Sequence, residues 1–184
     1  MERGSGSIPA VRYLDSDLER RALIKDIIAV RQQVIDIAQE TPQDQWYEPR
    51  YHGWSLAAML SHLHNVDNLA MLQIKLALMG IPFRMSSKML DRINDAAARL
   101  LRRRLITTTI NDIRKNETRI GDFIMYLPMD RFSKDVFYPP TGEIMTVERA
   151  LQQYFLFHWH LHLATLQRDE GIYYEPPAPD IDMV

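Results

Sequence analysis

The run Phe155-Leu156-Phe157-His158-Trp159-His160-Leu161-His162-Leu163 carries three of the chain's six histidines, one at every second position of an apolar segment. Its period decides the fold. Read as a strand, the three imidazoles share one face. Read as a helix, His158 and His162 stack one turn apart while His160 points about 160° away. Neither proline nor glycine occurs from Val147 to Arg168, and the stretch is rich in Ala, Leu, Gln, Glu and Arg. Its 22 residues are far too long for an ordinary strand. The segment therefore predicts a helix, capped by Thr146 and closed by Gly171, with Val147, Leu151, Tyr154, His158, Leu161, His162 and Thr165 on one face. The histidines divide into an inward pair and an outsider.

A second histidine sits on an apolar stripe nearly a hundred residues earlier. Met59, His62, Val66 and Leu69 or Ala70 share a face of a helix that Trp54-Ser55 opens and Gly80-Ile81-Pro82 stops. His62 thus looks inward, and His64 is peripheral. An imidazole on a core stripe is costly without a partner. Two at i and i+4 can reach one cation, and a third from a facing helix completes a three-nitrogen site. His62, His158 and His162 are the predicted metal ligands; the alternative is isolated buried histidines that only hydrogen-bond.

The rest of the chain is also helical in pattern. Leu23, Ile27, Val30 and Val34, widened by Ile24, Ile28, Ile35 and Ile37, mark a first helix from about Leu18 to Gln39, with Asp15, Ser16 or Asp17 as its cap and Thr41-Pro42 as its stop. Residues 43–53 form a loop with Trp46, Tyr47, Tyr51 and His52. A third helix starts near Ser86-Ser87 and carries Arg99, Arg102, Arg103 and Arg104, read as a solvated face. Thr107-Thr108-Thr109 reads as a pause and cap before a fourth helix that ends at Leu127-Pro128. Residues 131–145, around Pro139-Pro140-Thr141-Gly142, read as a short extended hairpin. The expected organisation is a flexible leader over 1–9, one helical domain over 10–172, and a Pro- and Asp-rich tail over 173–184.

Composition narrows the function. The 184 residues, 46% hydrophobic, suit one core, and a net charge of −2 gives no footprint for nucleic acid or an anionic membrane. The longest apolar stretch, Leu56 to Ile81, is interrupted by too many polar residues to span a bilayer, so a soluble cytoplasmic protein is expected. With no cysteine, thiolate metal sites and cysteine nucleophiles are excluded. Glu-x-x-His and His-Glu-x-x-His are both absent, which removes di-metal carboxylate bundles and the familiar helical metalloproteases.

Trp54-Ser55 followed by His62, and Thr146-Val147 leading into His158-x-x-x-His162, resemble the DinB/YfiT-like family, in residues and in the order of parts from about Ser16 to Gln167. The resemblance implies an all-α, four-helix bundle of DinB/YfiT type with an extra helical segment and a short extended excursion before the last helix. It also implies a divalent metal, zinc or nickel, on the three histidines, a homodimer, and either a thiol transferase using a low-molecular-weight thiol cosubstrate or a hydrolase of a small-molecule substrate. A non-catalytic, metal-stabilised stress or interaction bundle is the alternative. Thr165 stands where the family often has glutamine. Pocket candidates are Tyr154, Thr165, Trp46, Tyr47 and His52. Leu156, Phe157 and Trp159, off the predicted core stripe, point to a helix-mediated dimer contact.

Overall fold

A computed structural model describes residues 11–51, 53–101 and 103–170. The proposed leader and tail, Gly171, His52 and Arg102 lie outside them. The described elements are α1 (Asp17–Glu40), α2 (Leu56–Leu78), α3 (Ser87–Leu101), α4 (Ile106–Tyr126), β1 (Asp135–Tyr138), β2 (Glu143–Thr146), α5 (Val147–Gln152), a π turn (Gln153–Phe157) and α6 (His158–Glu170). The fold is a four-helix bundle. α1 packs against α4 and α6, and α2 packs against α4 and the π turn, so α1 and α2 lie mainly across the bundle from each other. α3 is the additional helix, laid on α2.

Each boundary has a local cause. The Glu19 N–H donates to Ser16 Oγ at 3.2 Å, the Ala58 N–H to Ser55 Oγ at 3.2 Å and the Arg149 N–H to Thr146 Oγ1 at 3.3 Å, which caps three helices by one device. Thr41, ahead of proline, is extended and ends α1. Gly80 ends α2 with φ 75°, a conformation a β-carbon disfavours. β1 and β2 pair antiparallel from Asp135 opposite Thr146 to Tyr138 opposite Glu143, with Gly142 at φ 74° in the connection. Leu23, Ile27, Val30 and Val34 all reach the core, whereas Ile28 lies 44% exposed.

Three expectations change. α4 starts at Ile106, and Thr109 lies buried inside it rather than ahead of it; its hydroxyl donates to the Leu105 carbonyl at 3.2 Å, which lets a threonine sit within a helix. The last long helix is not uniform. At the π turn the His158 N–H reaches the Gln153 carbonyl, five residues back, and the wider turn is flanked by both α1 and α2. Tyr154, Phe155 and Leu156 are therefore all buried. Finally, Trp159 (0% exposed) and Leu156 (2%) belong to the chain's own core and so offer no dimer surface, while Phe157 packs against that core partly buried; Leu161, expected inside, is 65% exposed. Of the arginine cluster, Arg99 and Arg103 are exposed and Arg104 pairs with Asp112 at 2.5 Å. No described helix is long and apolar enough to cross a membrane.

Candidate metal centre

α2 presents His62 from its second turn, and α6 presents His158 from its first residue and His162 one turn later. The His158 Nε2 lies 3.3 Å from His62 Nε2 and 3.0 Å from His162 Nε2, and one ring nitrogen of each of the three lies within 4.8 Å of the others. Three nitrogens about 2.0–2.1 Å from a tetrahedral cation stand about 3.3 Å apart, so the spacing fits a shared ion. Hydrogen bonding satisfies the cluster less well. The single His158 Nε2 makes both close contacts and can carry only one hydrogen, whereas a cation accepts all three lone pairs at once.

The electrostatics suit ligands. Burial, with the neighbouring His162 second, pushes the His62 pKa down to about 3. Burial pushes His162 down to about 4. His158 falls well below the ordinary value, first by burial and then through His162, His62 and Arg31. All three imidazoles are thus neutral, the form that binds metal, across the physiological range. No fourth His, Asp or Glu joins the group among the described residues. The Trp54 ring meets His62 edge-on at 5.0 Å and braces it. The Nδ1 of His158 is sealed from solvent without a hydrogen-bond partner among the described residues.

The cluster forms part of the wall of a cavity of about 540 Å³. Trp54, Val66, Leu69, Ala70, Leu90 and Leu161 supply apolar lining, and Tyr138, Pro139 and Pro140 bring in the hairpin. Tyr154 lies on the wall with its hydroxyl committed: it donates to Gln73 Oε1 at 2.8 Å, while the Gln73 amide donates to the Phe137 carbonyl. Burial, then the adjacent Tyr138, raises the Tyr154 pKa well above the ordinary phenol value, so its proton stays on oxygen.

The other sequence candidates lie elsewhere. Trp46 donates from Nε1 to the Thr41 carbonyl at 2.9 Å, Tyr47 is exposed, and Thr165 donates to the Leu161 carbonyl at 3.3 Å; none of them lines the cavity. His52 is outside the described residues. His64 joins a polar seam between α2 and α4, with Asn68 at 3.0 Å and Asn116 at 3.2 Å. His160 is half-buried and outside the cluster.

Sequence reading missed Trp54, Gln73 and Tyr138 as cavity residues. Gln73 had a signal, since it extends the His62, Val66, Ala70 stripe by one more turn. It also missed the support behind the histidines. Arg31 and Asp67, both with fully buried side chains, pair at 2.9 Å. Trp159 Nε1 donates to the second Asp67 oxygen at 3.0 Å, and the guanidinium stacks 4.3 Å over the Trp159 ring. Arg31 also donates to the Phe155 carbonyl at 2.8 Å, on the π turn. Burial raises the Asp67 pKa, and the Arg31 charge opposes the shift.

No family model and no curated protein matches the chain. Among solved structures it is similar to YfiT from Bacillus subtilis, with a TM-score of 0.70 and 20% identity over 90% of this chain and 94% of that one. YfiT is described as a probable metal-dependent hydrolase with an unusual four-helix bundle topology. The chain has the DinB/YfiT-like fold.

Proposed function

We propose that the protein is a metal-dependent hydrolase of small organic substrates, with zinc or nickel held by His62, His158 and His162. The observation that carries the proposal is the convergence of three neutral Nε2 atoms on a cavity wall with no fourth ligand among the described residues. A closed structural site has four protein ligands, whereas a catalytic one keeps a position open. The description of YfiT, which shares the fold, supports the same reading. A divalent cation held by these three histidines would supply Lewis acidity toward a carbonyl and toward water near neutral pH.

The chain's own residues do the remainder. The imidazoles offer lone pairs rather than protons, because burial keeps them neutral. The apolar walls displace water from a bound substrate and strengthen the polar contacts inside. Tyr154 already gives its proton to Gln73 Oε1, so its oxygen offers substrate a hydrogen-bond acceptor in a fixed place.

A panel of model esters and amides tests the proposal on zinc- and nickel-loaded protein. Hydrolysis by the wild type, reduced at least about 100-fold in His158→Ala with the fold retained by circular dichroism, is the expected result. Added thiols distinguish hydrolysis from transfer, since products bearing the thiol would assign the site to a thiol transferase. A loaded protein that turns over neither class would leave a metal-stabilised, non-catalytic bundle.

A further inference from the structure

Tyr154 is a polar station on the cavity wall whose hydrogen-bonding sense is fixed from behind. The Phe137 carbonyl can only accept, so the Gln73 amide turns its NH₂ toward that carbonyl and its oxygen toward Tyr154. Gln73 Oε1 can only accept in turn, so the one hydroxyl hydrogen of Tyr154 is spent on it at 2.8 Å. What remains on the Tyr154 oxygen is a lone pair. Gln73 and Tyr154 are both buried and both line the cavity, and Tyr138 meets the Tyr154 ring edge-on at 5.1 Å, which holds the ring's plane. Tyr154 precedes His158 by four residues, and side chains at that spacing on a helical rod are neighbours.

A cation on His62, His158 and His162 would draw a substrate's carbonyl oxygen whatever atom is bonded beside that carbonyl. Tyr154 can tell those atoms apart. An amide nitrogen brings an N–H for the lone pair. An ester oxygen brings a second lone pair and a ketone brings C–H, and either leaves a buried acceptor unpaired. We propose that Tyr154 determines the cavity's specificity by accepting the N–H of a substrate amide, so that the site takes N–H-bearing carboxamides in preference to esters and ketones of the same shape. The inference rests on the cavity being the substrate site, and it names the substrate class of the proposed hydrolase.

Calorimetric titration of zinc-loaded, full-length protein with N-methyl-3-phenylpropanamide and its ketone isostere 1-phenylpentan-3-one tests the proposal. The probes share a carbonyl and a shape and differ by N–H against CH₂; slow cleavage of the amide reads as steady heat, apart from the binding isotherm. The two carbonyls differ in basicity, so the quantity read is the change in the amide-to-ketone affinity ratio between proteins. The ratio is expected to fall about fivefold in Tyr154→Phe, and to stay within about twofold of the wild type in Tyr138→Phe, which keeps the bracing ring. A generally loosened cavity would weaken both probes and leave the ratio alone. A ratio unchanged in Y154F, an equal fall in Y138F, or no binding of either probe at millimolar concentration would overturn the inference. Metal content and ester hydrolysis in the same samples separate the two claims. A ratio indifferent to Tyr154 with metal and hydrolysis intact removes this inference alone. A Tyr154-dependent ratio in a protein that takes up no metal removes the hydrolase reading and leaves the amide selectivity standing.

Discussion

At the scale of single residues, the protein's unusual feature is a group of imidazoles held where burial disfavours their charged form. A histidine whose folded pKa is depressed binds its proton more readily in the unfolded chain, so stability rises with pH through the window between the two values. For His62 and His162 that window runs from about 3 or 4 up to the ordinary 6.5, and His158 shifts in the same direction. Metal-free protein is thus expected to be most stable above about pH 6.5, and to lose stability as acid charges the unfolded histidines, at roughly 1.4 kcal/mol per proton per pH unit. Urea melts from pH 4.5 to 7.5 check this, with a shallower slope expected in His62→Ala. A wild-type slope unchanged by that substitution would contradict the burial assigned to this ring. The inward placement of His62, His158 and His162 was legible because helical period alone orients a side chain. The roles of Gln73 and Trp54 were not, because a lining residue is defined by what stands opposite it, here the π turn and the hairpin.

At the scale of elements, the Arg31–Asp67 pair ties α1 to α2, and Trp159 and the Phe155 carbonyl tie both to the rod bearing two of the three histidines. Breaking a buried pair from one side strands a charge, so Arg31→Met is expected to destabilise by about 3–5 kcal/mol. Trp159→Phe, which removes one hydrogen bond to the carboxylate, should cost about 1–3 kcal/mol. Denaturant unfolding measures both, and a loss under about 1 kcal/mol for Arg31→Met would show that the pair is not holding the helices. Helix ends were readable in advance, since Ser16, Ser55 and Thr146 each accept the hydrogen bond their residue type favours. The π turn was not, because a uniform run of helix formers carries no mark of where one turn widens; packing against α1 and α2 accompanies it. The three threonines misled for a related reason. Thr109 prefers caps in isolation, yet here a carbonyl four residues back satisfies it.

At the scale of the whole molecule, the bundle brings α2 and α6 together at one point, and α3 and the hairpin build the rest of the cavity wall around it. The helical pattern was readable along the chain and the resemblance carried by Trp54-Ser55, His62 and His158-x-x-x-His162 implied the bundle; the hairpin's part in the cavity depended on long-range placement that no local pattern encodes. The central claim is that His62, His158 and His162 hold one catalytic divalent ion, and it is tested most directly by elemental analysis of protein loaded with zinc or nickel and then desalted. Wild type, His64→Ala and His160→Ala should each retain about one ion per chain, while His62→Ala, His158→Ala and His162→Ala fall at least about tenfold below it. A wild type that retains no stoichiometric metal, or a His160→Ala variant as depleted as His62→Ala, would contradict the claim.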